Sequence, residues 1–201
     1  MIPTPEFQLS PADEHSQRLV PPAGVVLRRA SGYLELGELL LEGEAPAPPT
    51  ACRLFARALA ELNQLDAAAR RDAAASLLEG EALRALGQWE AALPPLTRAA
   101  EAKPGRIEAW MGLGWCFKRL DRLDAAIDAL LRGLAAFPGQ PILHYNLACY
   151  HSLAGNVPAA IEHLTRAIAI DDRFRDLTGS ESDFDAIRGD PRFVAATSVT
   201  V

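Results

Sequence analysis

Residues Ile107 to Gln140 read IEAWMGLGWCFKRLDRLDAAIDALLRGLAAFPGQ, and the fold is decided by what happens when that stretch is shifted along the chain. A shift of 34 residues in either direction returns the same residue types. Gly80, Gly114 and Ala148 fall in register, as do Ala92, Ala126 and Ala160. So do Leu96, Leu130 and Leu164, and Ala99, Gly133 and Ala167. Larger apolar residues keep the same step: Leu93, Ile127 and Ile161, then Trp89, Leu123 and Val157. Pro104 and Pro138 close successive units, and Asp172 takes that place in the third. Self-similarity at such a period marks a stack of supersecondary units, each contacting its neighbours.

Each recurring residue type has a packing reason. Small residues at Gly80, Gly114 and Ala148 let one helix lie close against a partner that carries Ala92, Ala126 or Ala160. Larger neighbours then interlock as ridges and grooves. Gly87, Asp121 and Gly155 mark the turn inside each unit, and glycine there accepts the left-handed backbone of a helix end. Proline after the second helix stops it. Alanine and leucine dominate the chain while β-branched residues are sparse, which favours helix over sheet.

These residues resemble the tetratricopeptide repeat family. In the unit 107–140, Trp110, Leu113, Gly114, Phe117, Ala126, Leu130 and Pro138 stand where that family places its Trp, Leu, Gly, Tyr, Ala, Phe and Pro, with Gly133 where it prefers alanine. The unit 73–106 keeps Gly80, Leu83, Ala92, Leu96, Ala99 and Pro104, but has Ser76 in the Trp place and Glu79 in a Leu place. The unit 141–174 keeps Leu147, Ala148, Ala160, Leu164 and Ala167, but has His144 and His151 in the Trp and Tyr places. The resemblance implies an all-α fold, a right-handed α-α superhelix of three clear repeats over 73–174.

The flanks extend this plan. SGYLELGELLLEG, residues 31–43, puts Tyr33, Leu36, Gly37 and Leu40 in the order of a first repeat helix. APAPP makes a longer turn, and Thr50 is placed to cap a second helix carrying Ala51, Phe55 and Ala58. Residues 30–66 therefore read as a degenerate hairpin. Residues 1–29 read as a flexible, proline-rich leader, with a short helix begun at Ser10-Pro11. In 175–201, Asp183 and Asp190 read as helix N-caps, the second followed by Pro191. Phe184, Ile187 and Phe193 are placed to cover the last repeat, since an open solenoid otherwise exposes its final apolar face. Such tails resemble those of many bacterial tetratricopeptide proteins.

Composition narrows the function. The net charge is −6 with no cluster of Lys and Arg, whereas phosphate backbones demand concentrated positive charge, so no nucleic acid partner is expected. The three cysteines, Cys52, Cys116 and Cys149, lie far apart and outside any CxxC pair, which suits a reducing, cytoplasmic setting. The N-terminus lacks a basic start followed by an apolar run, and no apolar window is long enough to span a bilayer.

No local motif argues for an enzyme, a cofactor or a metal. His144 and His151 are seven residues apart on one helix, about 10.5 Å along its axis. Both cannot reach one ion at about 2 Å. Filling core slots explains them better, with His163 on the partner helix near one of them. Gly112-Leu113-Gly114 sits inside a predicted helix and follows no strand, so it serves packing rather than phosphate binding. Glu181, Asp183 and Asp185 lack the glycine and closing glutamate of a calcium loop.

In the family that this chain resembles, the first helix of each hairpin lines a concave wall. The register then groups three rows: Leu77, Met111 and Tyr145; Glu81, Trp115 and Cys149; Arg84, Lys118 and Ser152. They describe an apolar, aromatic centre with a basic edge. Trp and Tyr are enriched where proteins grip partners, and Met111 adds an adaptable surface. The expected function is a protein-binding adaptor that takes a peptide or helix segment in this groove. Alternatives are a chaperone for an apolar segment of a secreted or unstable partner, and pairing of two copies into a homodimer. Trp115 and Tyr145 could also pack against each other, the leader or a neighbouring helix. The carboxylate clamp of some relatives needs Lys, Asn and Arg on the wall. Here Leu77, Glu81, Ile142 and Asn146 stand there and only Asn146 fits.

Overall fold

The computed structural model describes residues 21–41 and 46–198; the helix expected at Ser10-Pro11 lies outside them. In chain order the helices are α1 (Ala23–Glu38), α2 (Pro49–Leu62), α3 (Ala67–Arg70), α4 (Ala73–Ala85), α5 (Trp89–Ala102), α6 (Ile107–Arg119), α7 (Leu123–Ala136), α8 (Pro141–Leu153), α9 (Val157–Ile170), α10 (Arg173–Leu177) and α11 (Pro191–Thr197). A 3-10 helix spans Ser182–Ile187 before α11. No strand forms among the described residues.

The period of the sequence becomes the period of the fold. Helices α4, α6 and α8 begin and end 34 residues apart, and so do α5, α7 and α9. The three turns close alike, with Gly87 at φ 72°, Asp121 at φ 58° and Gly155 at φ 73°. After α4, the Gln88 N–H donates to the Leu83 carbonyl and the Gly87 N–H to that of Arg84. The same pair of bonds recurs at Arg122 and Asn156, capping otherwise orphaned helix carbonyls. Helix α5 persists through Pro94 and Pro95, so repeat packing overrides the local breaking tendency of proline.

Each hairpin closes on its small residue. A Cβ at Gly80 would come within 2.5 Å of Leu96 Cγ, and one at Gly114 within 3.1 Å of Leu130. Leu96, Leu130 and Leu164 are fully buried, each supplying about 1.5–3 kcal/mol. Successive hairpins then stack, α5 on α6 and α7 on α8. The Trp place is solved differently in each unit. Trp110 donates its indole N–H to the Pro104 carbonyl at 2.9 Å, and Gly133 leaves room for its ring. Ser76 and Glu79 instead join a polar network: Glu79 pairs with Arg70 at 2.8 Å and Arg98 at 3.4 Å, and Arg98 also donates to the Ser76 hydroxyl. His144 meets His163, Nδ1 to Nδ1 at 2.9 Å.

The flanks depart from the sequence reading at several points. Helix α1 starts at Ala23, seven residues inside the segment read as leader; Val26 is already fully buried, and Ala30 joins the core with Ala51 and Phe55 of α2. Gly37 packs on the Phe55 ring, the counterpart of Gly80 on Leu96. Leu36 and Leu40 are exposed, however, and Leu34 is the buried leucine of that turn. Pro48, not Thr50, is the N-cap of α2, with Pro49 at its first position. Asp190 does cap α11, accepting from the Arg192 N–H. Asp183 is no cap: Glu181 accepts its N–H, and its own carboxylate turns to Lys118. Phe184, Ile187 and Phe193 bury in the last repeat's core.

Candidate binding groove

The first helices of the hairpins, α1, α4, α6 and α8, line one cavity of about 490 Å³, and the tail closes its end with Glu181 and Asp183. A space of that size is in the range of ligand pockets. Its apolar lining comes from Leu34 on α1, Leu77 and Leu78 on α4, Met111 and Trp115 on α6, and Ile142 on α8. Gly112 completes it for a packing reason, since a Cβ there would meet Glu81 Oε1 at 2.7 Å and Leu96 at 3.1 Å.

The polar lining is mostly acidic. Glu35, Glu38, Glu81, Glu108, Glu181 and Asp183 face only Arg84 and Lys118. Both cations are taken. Arg84 donates through Nε to Glu81 at 2.8 Å; burial opposes the guanidinium's charge, and Glu81, helped by Cys116 and Glu38, more than offsets it. Lys118 pairs with Asp183 and also lies 5.4 Å from the Trp115 ring centre. Partial burial raises the Glu38 carboxyl above its ordinary range; Arg84 opposes that rise, while Glu81 and Glu35 add to it.

The family model for the tetratricopeptide repeat matches residues 77–141. Among solved structures, MamA from Desulfovibrio magneticus RS-1 is similar at 19% identity, covering 76% of this chain and 77% of that one, with a TM-score of 0.57. A second MamA structure aligns at 20% identity over 82% of this chain and 81% of its own, again at 0.57. TTC0263, a thermophilic TPR protein in Thermus thermophilus, aligns at 21% identity over 82% and 86%, at 0.56. Residues 77–141 match the tetratricopeptide repeat, and the described chain as a whole has the fold of these structures. No curated protein matches the chain in sequence. The distant structures speak for the fold alone.

Seven of the nine residues placed on the wall from the repeat register line the cavity of this tetratricopeptide array: Leu77, Glu81, Arg84, Met111, Trp115, Lys118 and Cys149. Tyr145 and Ser152 do not, being 5% and 1% exposed. Tyr145 is sealed by the tail, its ring 5.1 Å from that of Phe174 and edge-on to Phe184 at 5.7 Å. On α8 the cavity is met instead by Ile142, Asn146, Cys149 and Tyr150. The basic edge is also corrected, since neither Arg84 nor Lys118 is left without a carboxylate. Sequence reasoning leaves several lining residues out of its three rows. Leu78 and Gly112 fall in one row with Asn146, which the comparison with the carboxylate clamp already sets on the wall together with Ile142. The contributions of α1 and the tail come from segments outside the period.

Burial holds the Cys116 and Cys149 thiols protonated. Burial raises Cys116 to about 12, with Arg84 opposing the rise, and burial raises Cys149 further. The ring of His163 lies between His144 and His151, stacked on the latter at 5.6 Å and 7°. Among the described residues no group of three His, Cys, Asp or Glu is placed to hold a metal. No described helix is long and apolar enough to cross a membrane.

Proposed function

We propose that this protein is an adaptor that holds a segment of another protein in the groove formed by α1, α4, α6 and α8. One observation carries the reading: four consecutive first helices pool Leu34, Leu77, Met111, Trp115 and Ile142 around a single cavity. Leu34 and Leu77 are buried at its floor, while Ile142 is half-buried above them. Trp115 and Met111 stay half-buried at the wall. A partner that covers them gains the free energy of removing indole and thioether surface from water. An adaptor and a holding chaperone would use this groove alike.

Short random peptides displayed against the full chain test the reading. Peptides selected this way should lose about 2 kcal/mol of binding in Trp115→Ala, the size of an interface hot spot. Affinity unchanged by that substitution would rule the groove out.

A further inference from the structure

Resting on the groove assignment above, we infer that its occupant is a cationic segment: a stretch carrying lysine or arginine beside a few apolar anchor residues. The charge balance of the cavity points there. Once Arg84 is committed to Glu81 and Lys118 to Asp183, Glu35, Glu38, Glu108 and Glu181 remain, with no cationic partner among the described residues. Glu35 accepts only from the Ser31 hydroxyl at 2.8 Å, and Glu181 from the Asp183 N–H at 3.2 Å. These four sit around an apolar floor, so a ligand that covers the floor brings its flanks against carboxylates. Like-charge juxtaposition there is costly, and opposite charge speeds encounter and fixes register.

Charge also separates this occupant from its rivals. The chain's first twenty residues hold Glu6, Asp13 and Glu14 against Arg18, so they offer the wrong sign. The last three, Val199, Thr200 and Val201, carry no basic side chain. A second copy arrives with a net charge of −6. A ligand presenting a C-terminal carboxylate would add one more negative group to an acidic cavity. A cationic ligand also needs no rearrangement of the Lys118–Asp183 pair that ties the tail to the wall.

The experiment uses the full chain and the displayed random peptides, with the composition of the selected pool as readout. The expected pool is enriched in lysine and arginine over the naive library. Its members should bind more weakly as salt rises, because exposed charge pairs are screened. They should lose about fivefold or more in affinity to the double variant Glu38→Gln, Glu108→Gln, whose fold is checked by circular dichroism. A pool that is neutral or acidic yet still depends on Trp115 would overturn the cationic occupant and leave the groove standing. A basic pool indifferent to Trp115→Ala, or no enrichment at all, would overturn both.

Discussion

The α6 and α8 stretches of the inner wall come from the same repeat position, yet one is open and the other sealed. On α6, Met111 and Trp115 remain half-buried at the cavity. On α8, their period partners Tyr145 and Cys149 are 5% and 2% exposed; Tyr145 lies under Phe174 and Phe184, while Cys149 keeps only a narrow face on the cavity. The helices do not explain this difference, because their boundaries match residue for residue. It comes from the tail, which caps the final repeat and ends the groove with two carboxylates. A solenoid's cap therefore does more than shield an apolar end; it sets how much of the wall is left for a partner.

The comparison can be broken most forcefully at the seal. Phe184 is fully buried between Tyr145 and Phe193. Phe184→Ala should destabilise the fold by about 3–5 kcal/mol in urea unfolding. It should also expose the Tyr145 ring, read by solvent-perturbation difference spectroscopy, whereas Trp115→Ala should leave that ring covered. A smaller loss, about 1–3 kcal/mol, is expected from Gly114→Leu, which overfills the crossing against Leu130 at 3.1 Å and Tyr150 at 3.3 Å. Unaltered melting in that variant would mean that α6 and α7 do not cross as described.

The last repeat carries a pH signature that the α6 repeat lacks. Burial, then the neighbouring rings of His144 and His151, lower His163 to about 4, with Arg166 acting the same way and Glu162 opposing. His144 and His151 are lowered too, chiefly by burial. The folded chain thus resists protonation that the unfolded chain accepts near its ordinary value of about 6.5. The stabilisation is complete above about pH 6.5 and declines as the pH falls toward about 4. Thermal melts across that range should show the decline, and His163→Leu should flatten it. Smallest of all is Tyr145→Phe. Its hydroxyl is buried without a partner, so the change should move stability by less than about 1 kcal/mol, toward greater stability, and leave peptide affinity alone.

Much of this was legible in the sequence because a repeat constrains many positions at once. Gly80, Gly114 and Ala148 announce the hairpin crossings, and Gly87, Asp121 and Gly155 their turns, so the helix frame from 73 to 174 followed from spacing alone. Leu77, Met111 and Trp115 could be set on one wall by the same arithmetic. Tyr145 could not be judged that way, since its neighbours Phe174 and Phe184 lie where the period fades. Nor could the fate of Lys118, whose partner Asp183 is 65 residues away in sequence. Asp183 carries the sequence signature of a cap, and only the three-dimensional path of the tail shows that it faces the groove instead. The start of α1 was missed for a related reason: Leu27 and Ala30 pack into a degenerate hairpin that keeps no strict register with the others.

A titration followed by two-dimensional NMR, with a peptide selected on the full chain, tests the division of the wall most directly. Signals of Glu81, Met111 and the Trp115 indole should shift on binding, while those of Tyr145 and Ser152 stay in place. Shifts centred on Tyr145 and Ser152, or on the exposed Leu131 of α7, would contradict the account.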